Sequence, residues 1–134
     1  MSRQLSRNTD SGNNTEIVVF LNDFANAKEQ ARIERKPLIV FFTLADNESC
    51  KRSFELFRYQ EIRRLAKHFI CVSVDGTSMG PICELYRIKS FPTILILESE
   101  GKEIQRLTGK KTQEQLSVQM HIAIQLATNA NKLR

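Results

Sequence analysis

The chain has 134 residues, enough for one domain that buries a core without covalent staples, and its 41% hydrophobic and 26% charged content is ordinary for a soluble globule. The net charge of +5 permits attraction to nucleic acid, anionic lipid or acidic proteins without selecting one. No apolar run approaches the ~18 residues of a membrane span, and three cysteines are too few and odd in number for a disulfide scaffold.

Residues 1–14 are rich in Ser, Asn and Arg and nearly free of large apolar groups, so a flexible tail is expected ahead of one domain over 15–128, with a flexible end over 129–134. The run Ile17-Val18-Val19-Phe20 reads as a first strand. Asn22 or Asp23 can cap the helix that follows, whose apolar residues Phe24, Ala27 and Ala31 have helical spacing. Pro37 ends it, because proline disfavours helix in the residue before it. Leu38 to Thr43 is a continuous apolar run of strand length, the mark of a central strand covered on both faces. Asp46 or Asn47 caps a helical stretch to about Lys67 that breaks near Tyr59. A second central strand, Phe69 to Val74, ends at Asp75-Gly76.

A short helix from about Met79 carries Met79, Ile82, Cys83 and Tyr86 on one face. Thr93 to Glu98 and Lys102 to Leu107 form a hairpin about Ser99-Glu100-Gly101. A last amphipathic helix turns Leu116, Met120, Ala123 and Ala127 inward. Alternating elements followed by a hairpin give an α/β fold, with a central mixed sheet of about five strands flanked by about four helices.

Cys50-Lys51 opens the second helix, Asp75 closes a strand, Arg87-Ile88-Lys89-Ser90-Phe91-Pro92-Thr93 leads into another, Glu100-Gly101-Lys102 makes a turn, and Gly109 follows the last strand. In this order and spacing the chain resembles the thioredoxin-like superfamily over roughly residues 16–127. The strand from Lys36-Pro37 to Phe42-Thr43 and the long segment Lys51 to His68 resemble one subgroup in particular. It holds bacterial thioredoxin-like proteins related to the C-terminal domain of the thiol:disulfide interchange reductase. The resemblance implies a cis peptide between Phe91 and Pro92, and a groove there that pairs with a bound peptide as an added strand.

The family's Trp-Cys-x-x-Cys-Lys is represented by Asp46-Asn47-Glu48-Ser49-Cys50-Lys51. Asn47 stands where the resemblance implies the nucleophilic cysteine, and Phe41 where it implies a buried acid. Exchange needs an attacking thiolate and a second sulfur to resolve the mixed disulfide. Asn47 also makes a good helix cap. Asp46 and Glu48 work against a thiolate at Cys50, while Lys51, Arg52 and the helix N-terminus favour one.

Two functions remain open. One is a peptide- or protein-binding module with a degenerate Asn47-x-x-Cys50 site, needing no cofactor and acting through Phe91 and Pro92. The other is a monothiol enzyme that reads Cys50-Lys51-Arg52-Ser53 as Cys-x-x-Ser and exchanges with glutathione, whose carboxylate Lys51 and Arg52 could attract. Cys71 and Cys83 are expected in the core. No Cys/His pair has zinc-ligand spacing, and His68 and His121 show no partner, so no metal is expected. Lys51, Arg52, Arg58, Arg63, Arg64 and Lys67, with Lys110 and Lys111, read as a solvated basic face; no nucleic-acid partner is expected. The sequence as it stands has no signal-peptide h-region and points to the cytoplasm, or to export if a signal peptide has been removed.

Overall fold

The structure, a computed structural model, describes residues 17–133. The tail expected over residues 1–14 lies outside them. In chain order the elements are α1 (Phe24–Glu34), β1 (Leu38–Thr43), α2 (Glu48–Glu55), a 3-10 turn (Leu56–Arg58), α3 (Gln60–Ala66), β2 (Ile70–Asp75), α4 (Gly80–Leu85), β3 (Thr93–Leu97), β4 (Glu103–Thr108) and α5 (Gln113–Lys132). The sheet order is β2-β1-β3-β4. β1 runs parallel to β2 and antiparallel to β3, and β3 and β4 form the hairpin. This is the mixed α/β sheet with helices on both faces that the alternation predicts.

Local chemistry explains each boundary. Asp23 caps α1 by accepting the Asn26 backbone N–H, and Arg35 ends it in the left-handed conformation before Pro37. The second helical stretch breaks at Tyr59, whose backbone is extended, so α3 packs separately. Gly101 and Gly109 have φ of 101° and 78°, a region where a side chain would be strained. α5 starts at a reciprocal capping box between Thr112 and Gln115.

Alternation along the strands divides the core. Ile39, Phe41, Cys71, Ile94 and Ile96 face α3 and α5, meeting Ile62, Leu65, Leu116 and Met120. Leu38, Val40, Phe42, Val72 and Leu95 face the other way, meeting Phe24, Ala27 and Ala31 of α1 and Cys83 of α4. β1 is buried on both faces, as its unbroken apolar run requires.

Among the described residues there are four strands and five α-helices, close to the expected five and four, and the run Ile17-Val18-Val19-Phe20, expected as a first strand, is not one. Pairing with β2 is confined to one bridge at Leu21, whose N–H donates to the Cys71 carbonyl and whose carbonyl accepts from Ser73. Val18 and Phe20 pack on the core while Ile17 and Val19 stay 78% and 68% exposed, so alternation survives without a ladder. At the other end α5 passes the boundary expected at residue 128 and runs to Lys132. The Asn131 side chain ties its last turn down by donating to the Arg35 carbonyl at 3.0 Å.

Candidate functional site

The C-terminal ends of β1 and β2 and the N-terminal end of β3 meet at one edge of the sheet. Phe42 is in register with both Val74 and Thr93, so the loop 44–47, the Asp75-Gly76 turn and the Phe91-Pro92 segment emerge side by side. In α/β sheets such strand ends are where ligands are commonly received.

Asn47 is the N-cap of α2. Its backbone is extended, and its side-chain oxygen accepts the Cys50 backbone N–H at 2.9 Å. Asp46 before it is left-handed, with φ 61°, a conformation that short polar side chains tolerate better than most. Glu48 is exposed and pairs with Arg52 at 3.7 Å, and Ser49 is half-buried. Lys51 is exposed.

Cys50 is the third helical residue and only 2% exposed. Its Sγ accepts the Leu44 backbone N–H at 3.4 Å. Cys50 is among the residues lining an open pocket of ≈ 580 Å³, with Phe41, Leu44, Ala45, Lys51, Phe54 and Arg58.

Phe91 and Pro92 lead into β3 at the same edge. Their peptide bond is cis. Pro92 is buried, and its carbonyl accepts from Gly109 at 2.9 Å. The Phe91 ring lies so close to Gly76 that a Cβ there would sit 2.4 Å from it, with Leu44 also within 3.2 Å of that position. Phe91 therefore packs inward on the α1/α4 side of the core. Among the described residues its backbone N–H and C=O make no hydrogen bond.

The other thiols lie on other elements, Cys71 on β2 and Cys83 on α4. All three cysteines are free and buried. Cys71 is paired in register with Ile39 near the start of its strand, and burial pushes its thiol up to about 12. Cys83 is raised by burial and by the Asp75 carboxylate. The two occupy opposite faces of the sheet, so they cannot pair with each other. Among the described residues no group of three His, Cys, Asp or Glu could hold a metal, and no helix is long and apolar enough to cross a membrane. Of the basic residues expected on one solvated face, Arg52 and Arg64 are ion-paired, to Glu48 and Glu61.

Three features of the structure escape a reading of the sequence. The Arg106 guanidinium of β4 donates to the Tyr86 and Arg87 carbonyls at 2.8 and 3.3 Å while paired to Glu103, so it pins the segment leading to Phe91. Buried Glu98 accepts the Glu100 and Lys102 backbone N–H groups and closes the hairpin. The contact of Phe91 with Gly76 joins residues in different loops. A lone Arg in an edge strand and a Glu before a turn were the signals available, and neither has a period or a spacing.

No curated protein sequence matches the chain significantly. Among solved structures it is similar to DsbH oxidoreductase, with 19% identity and a TM-score of 0.71 over 89% of this chain and 94% of that one. It is similar to a thioredoxin from Thermus thermophilus, with 17% identity and a TM-score of 0.70 over 78% and 86%. The thioredoxin NaTrxh from Nicotiana alata gives 17% identity and a TM-score of 0.66 over 84% and 98%. At such identities these likenesses concern the fold. Residues 24–122, well over half of the chain, match the family described as Thioredoxin-like domain, and the chain belongs to that family.

Proposed function

We propose that this chain is a thioredoxin-like protein with a degenerate site, Asn47-x-x-Cys50, that does not perform dithiol–disulfide reduction and binds an extended peptide or protein segment along Phe91 and Pro92. The observation that carries the reading is the capping bond from Cys50 N–H to the Asn47 side chain: an amide occupies the helix N-terminus, where attack needs a thiolate. No disulfide joins Cys50 to Cys71 or Cys83, and all three thiols are buried, so none of them stands ready as a resolving thiol. The backbone N–H and C=O of Phe91, which make no hydrogen bond among the described residues, are the groups an added strand would use.

A second reading draws on the pocket that reaches Cys50. Lys51 and Arg58 in its wall could hold the carboxylates of glutathione, and the Cys50 thiolate would attack its disulfide, giving a mixed disulfide and one free glutathione thiolate. The 2% exposure of Cys50 weighs against this.

Insulin reduction with dithiothreitol as electron donor separates the readings. The expected rate is that of dithiothreitol alone, with catalysis gained in Asn47→Cys. Catalysis by the unaltered chain would overturn the proposal, and glutathionylation of Cys50 in the folded protein would favour the second reading. Binding is read by amide shifts with reduced, carboxymethylated α-lactalbumin as the extended probe. Shifts confined to residues 44–50, 76 and 91–93 support the groove, and no shift there excludes it.

A further inference from the structure

α5 carries two apolar stripes. Leu116, Met120, Ala123 and Ala127 turn inward and are buried. Val118, Ile122 and Leu126 recur every four residues on another face and are 48%, 42% and 42% exposed. At about 100° per residue these three span an arc of about 80°, which also contains Gln115 and Asn129. No charged residue of the helix falls on that arc. A surface helix ordinarily sets polar and charged residues opposite its buried stripe, so a second, uncharged apolar seam on the solvent side marks a contact surface.

The charges beside the seam say what covers it. Glu114 and Lys132 are 18 residues apart in sequence, five full turns at about 3.6 residues per turn, so they share one azimuth at opposite ends of the helix. Neither is ion-paired among the described residues. A face with an acid at one end and a base at the other, on the same flank, is complementary to itself turned end for end. A two-fold axis perpendicular to the helix keeps that flank on the same side in both copies.

We propose that the outer face of α5 is the contact surface of a homodimer in which two α5 helices pack antiparallel about an axis at Ile122. Ile122 then meets Ile122 of the second copy, Val118 meets Leu126, and Gln115 meets Asn129. Glu114 lies opposite residue 130 of the second copy, half a turn from its Lys132, within reach of an ion pair at each end.

Sedimentation equilibrium of the full chain, over roughly 1 µM to 1 mM to span weak and moderate association, tests this. The expected mass rises with concentration from 15.4 kDa towards twice that value. Ile122→Glu, on an exposed position, is expected to stay monomeric throughout while keeping the circular dichroism of the unaltered chain. A monomer at every concentration overturns the dimer, and association that survives Ile122→Glu overturns its location. Glu114→Lys and Lys132→Glu, each disrupting both end pairs, are expected to weaken association by roughly 3–10-fold, and the double exchange to restore it. Failure of the double exchange to restore it overturns the antiparallel arrangement.

Discussion

The side-chain oxygen of Asn47 accepts the backbone N–H of Cys50 at 2.9 Å, fixing the first turn of α2 at the sheet edge. It meets one of the orphan donors of the helix, where a thiolate would otherwise gain from them. Asn47→Ala is expected to lower stability by about 1 kcal/mol, the usual cost of losing a polar cap. Urea unfolding followed by circular dichroism measures this. An unchanged midpoint and slope would show that the cap contributes nothing.

Burial of Cys71 sets a limit on stability at alkaline pH. The folded thiol is raised to about 12 by desolvation, whereas the unfolded thiol ionises near its ordinary ~8.5. Its contribution is therefore fully present below about 8.5 and is lost as pH rises towards about 12, because the unfolded state then binds fewer protons. The loss attributable to this group is at most about 5 kcal/mol. Cys71→Val cannot ionise, so its stability should fall less than that of the unaltered chain between pH 8 and 11. Parallel curves for the two proteins would refute the assignment.

Gly76 and Phe91 should be coupled. A methyl group at residue 76 would meet the Phe91 ring at 2.4–2.5 Å, so the ring must move. Gly76→Ala is expected to cost roughly 1–3 kcal/mol, the range for overpacking. The cost should shrink in a Phe91→Ala background, which removes the ring. A double-mutant cycle measures the coupling, and additivity would contradict the packing described.

Arg106 is expected to control order in the segment before Phe91. Its fork binds Glu103 through two contacts of 2.9 Å and the Tyr86 carbonyl at 2.8 Å, an arrangement that a lysine cannot reproduce. Arg106→Lys should speed amide exchange at Ile88, whose N–H is bonded to the Cys83 carbonyl. The hydrogen bond from Arg106 holds the Glu103 carboxyl below its ordinary range. The stabilisation is thus present above the unfolded pKa of ~4.3 and lost as pH falls through the lower folded value. Exchange at Ile88 should rise on acidification relative to the intrinsic rate; an unchanged ratio would separate the ion pair from the order of the loop.

Much of the fold was written in short-range pattern. The apolar run Leu38 to Thr43 predicts a strand covered on both faces, Asp23 and Asn47 stand at helix starts, and the inner stripe of α5 is buried throughout. These features depend on periodicity and capping, which are decided within a turn or two of the residue concerned. Absence of a second cysteine beside Cys50 is likewise plain from the sequence.

Tertiary structure decided what depends on distant neighbours. Ile17 to Phe20 has the composition of a strand, yet only Leu21 reaches the backbone of β2. Cys50 could as well have been exposed, and the packing of α2 against β1 buries it. Cys71 and Cys83 are 12 residues apart in sequence, and the docking of α4 on the far face puts the sheet between them. Phe91 fills the space above Gly76 because two loops from separate strands end at the same edge. Sequence fixes local conformation through bonds and nearby atoms, whereas burial and through-space contact are sums over residues that only the folded chain brings together.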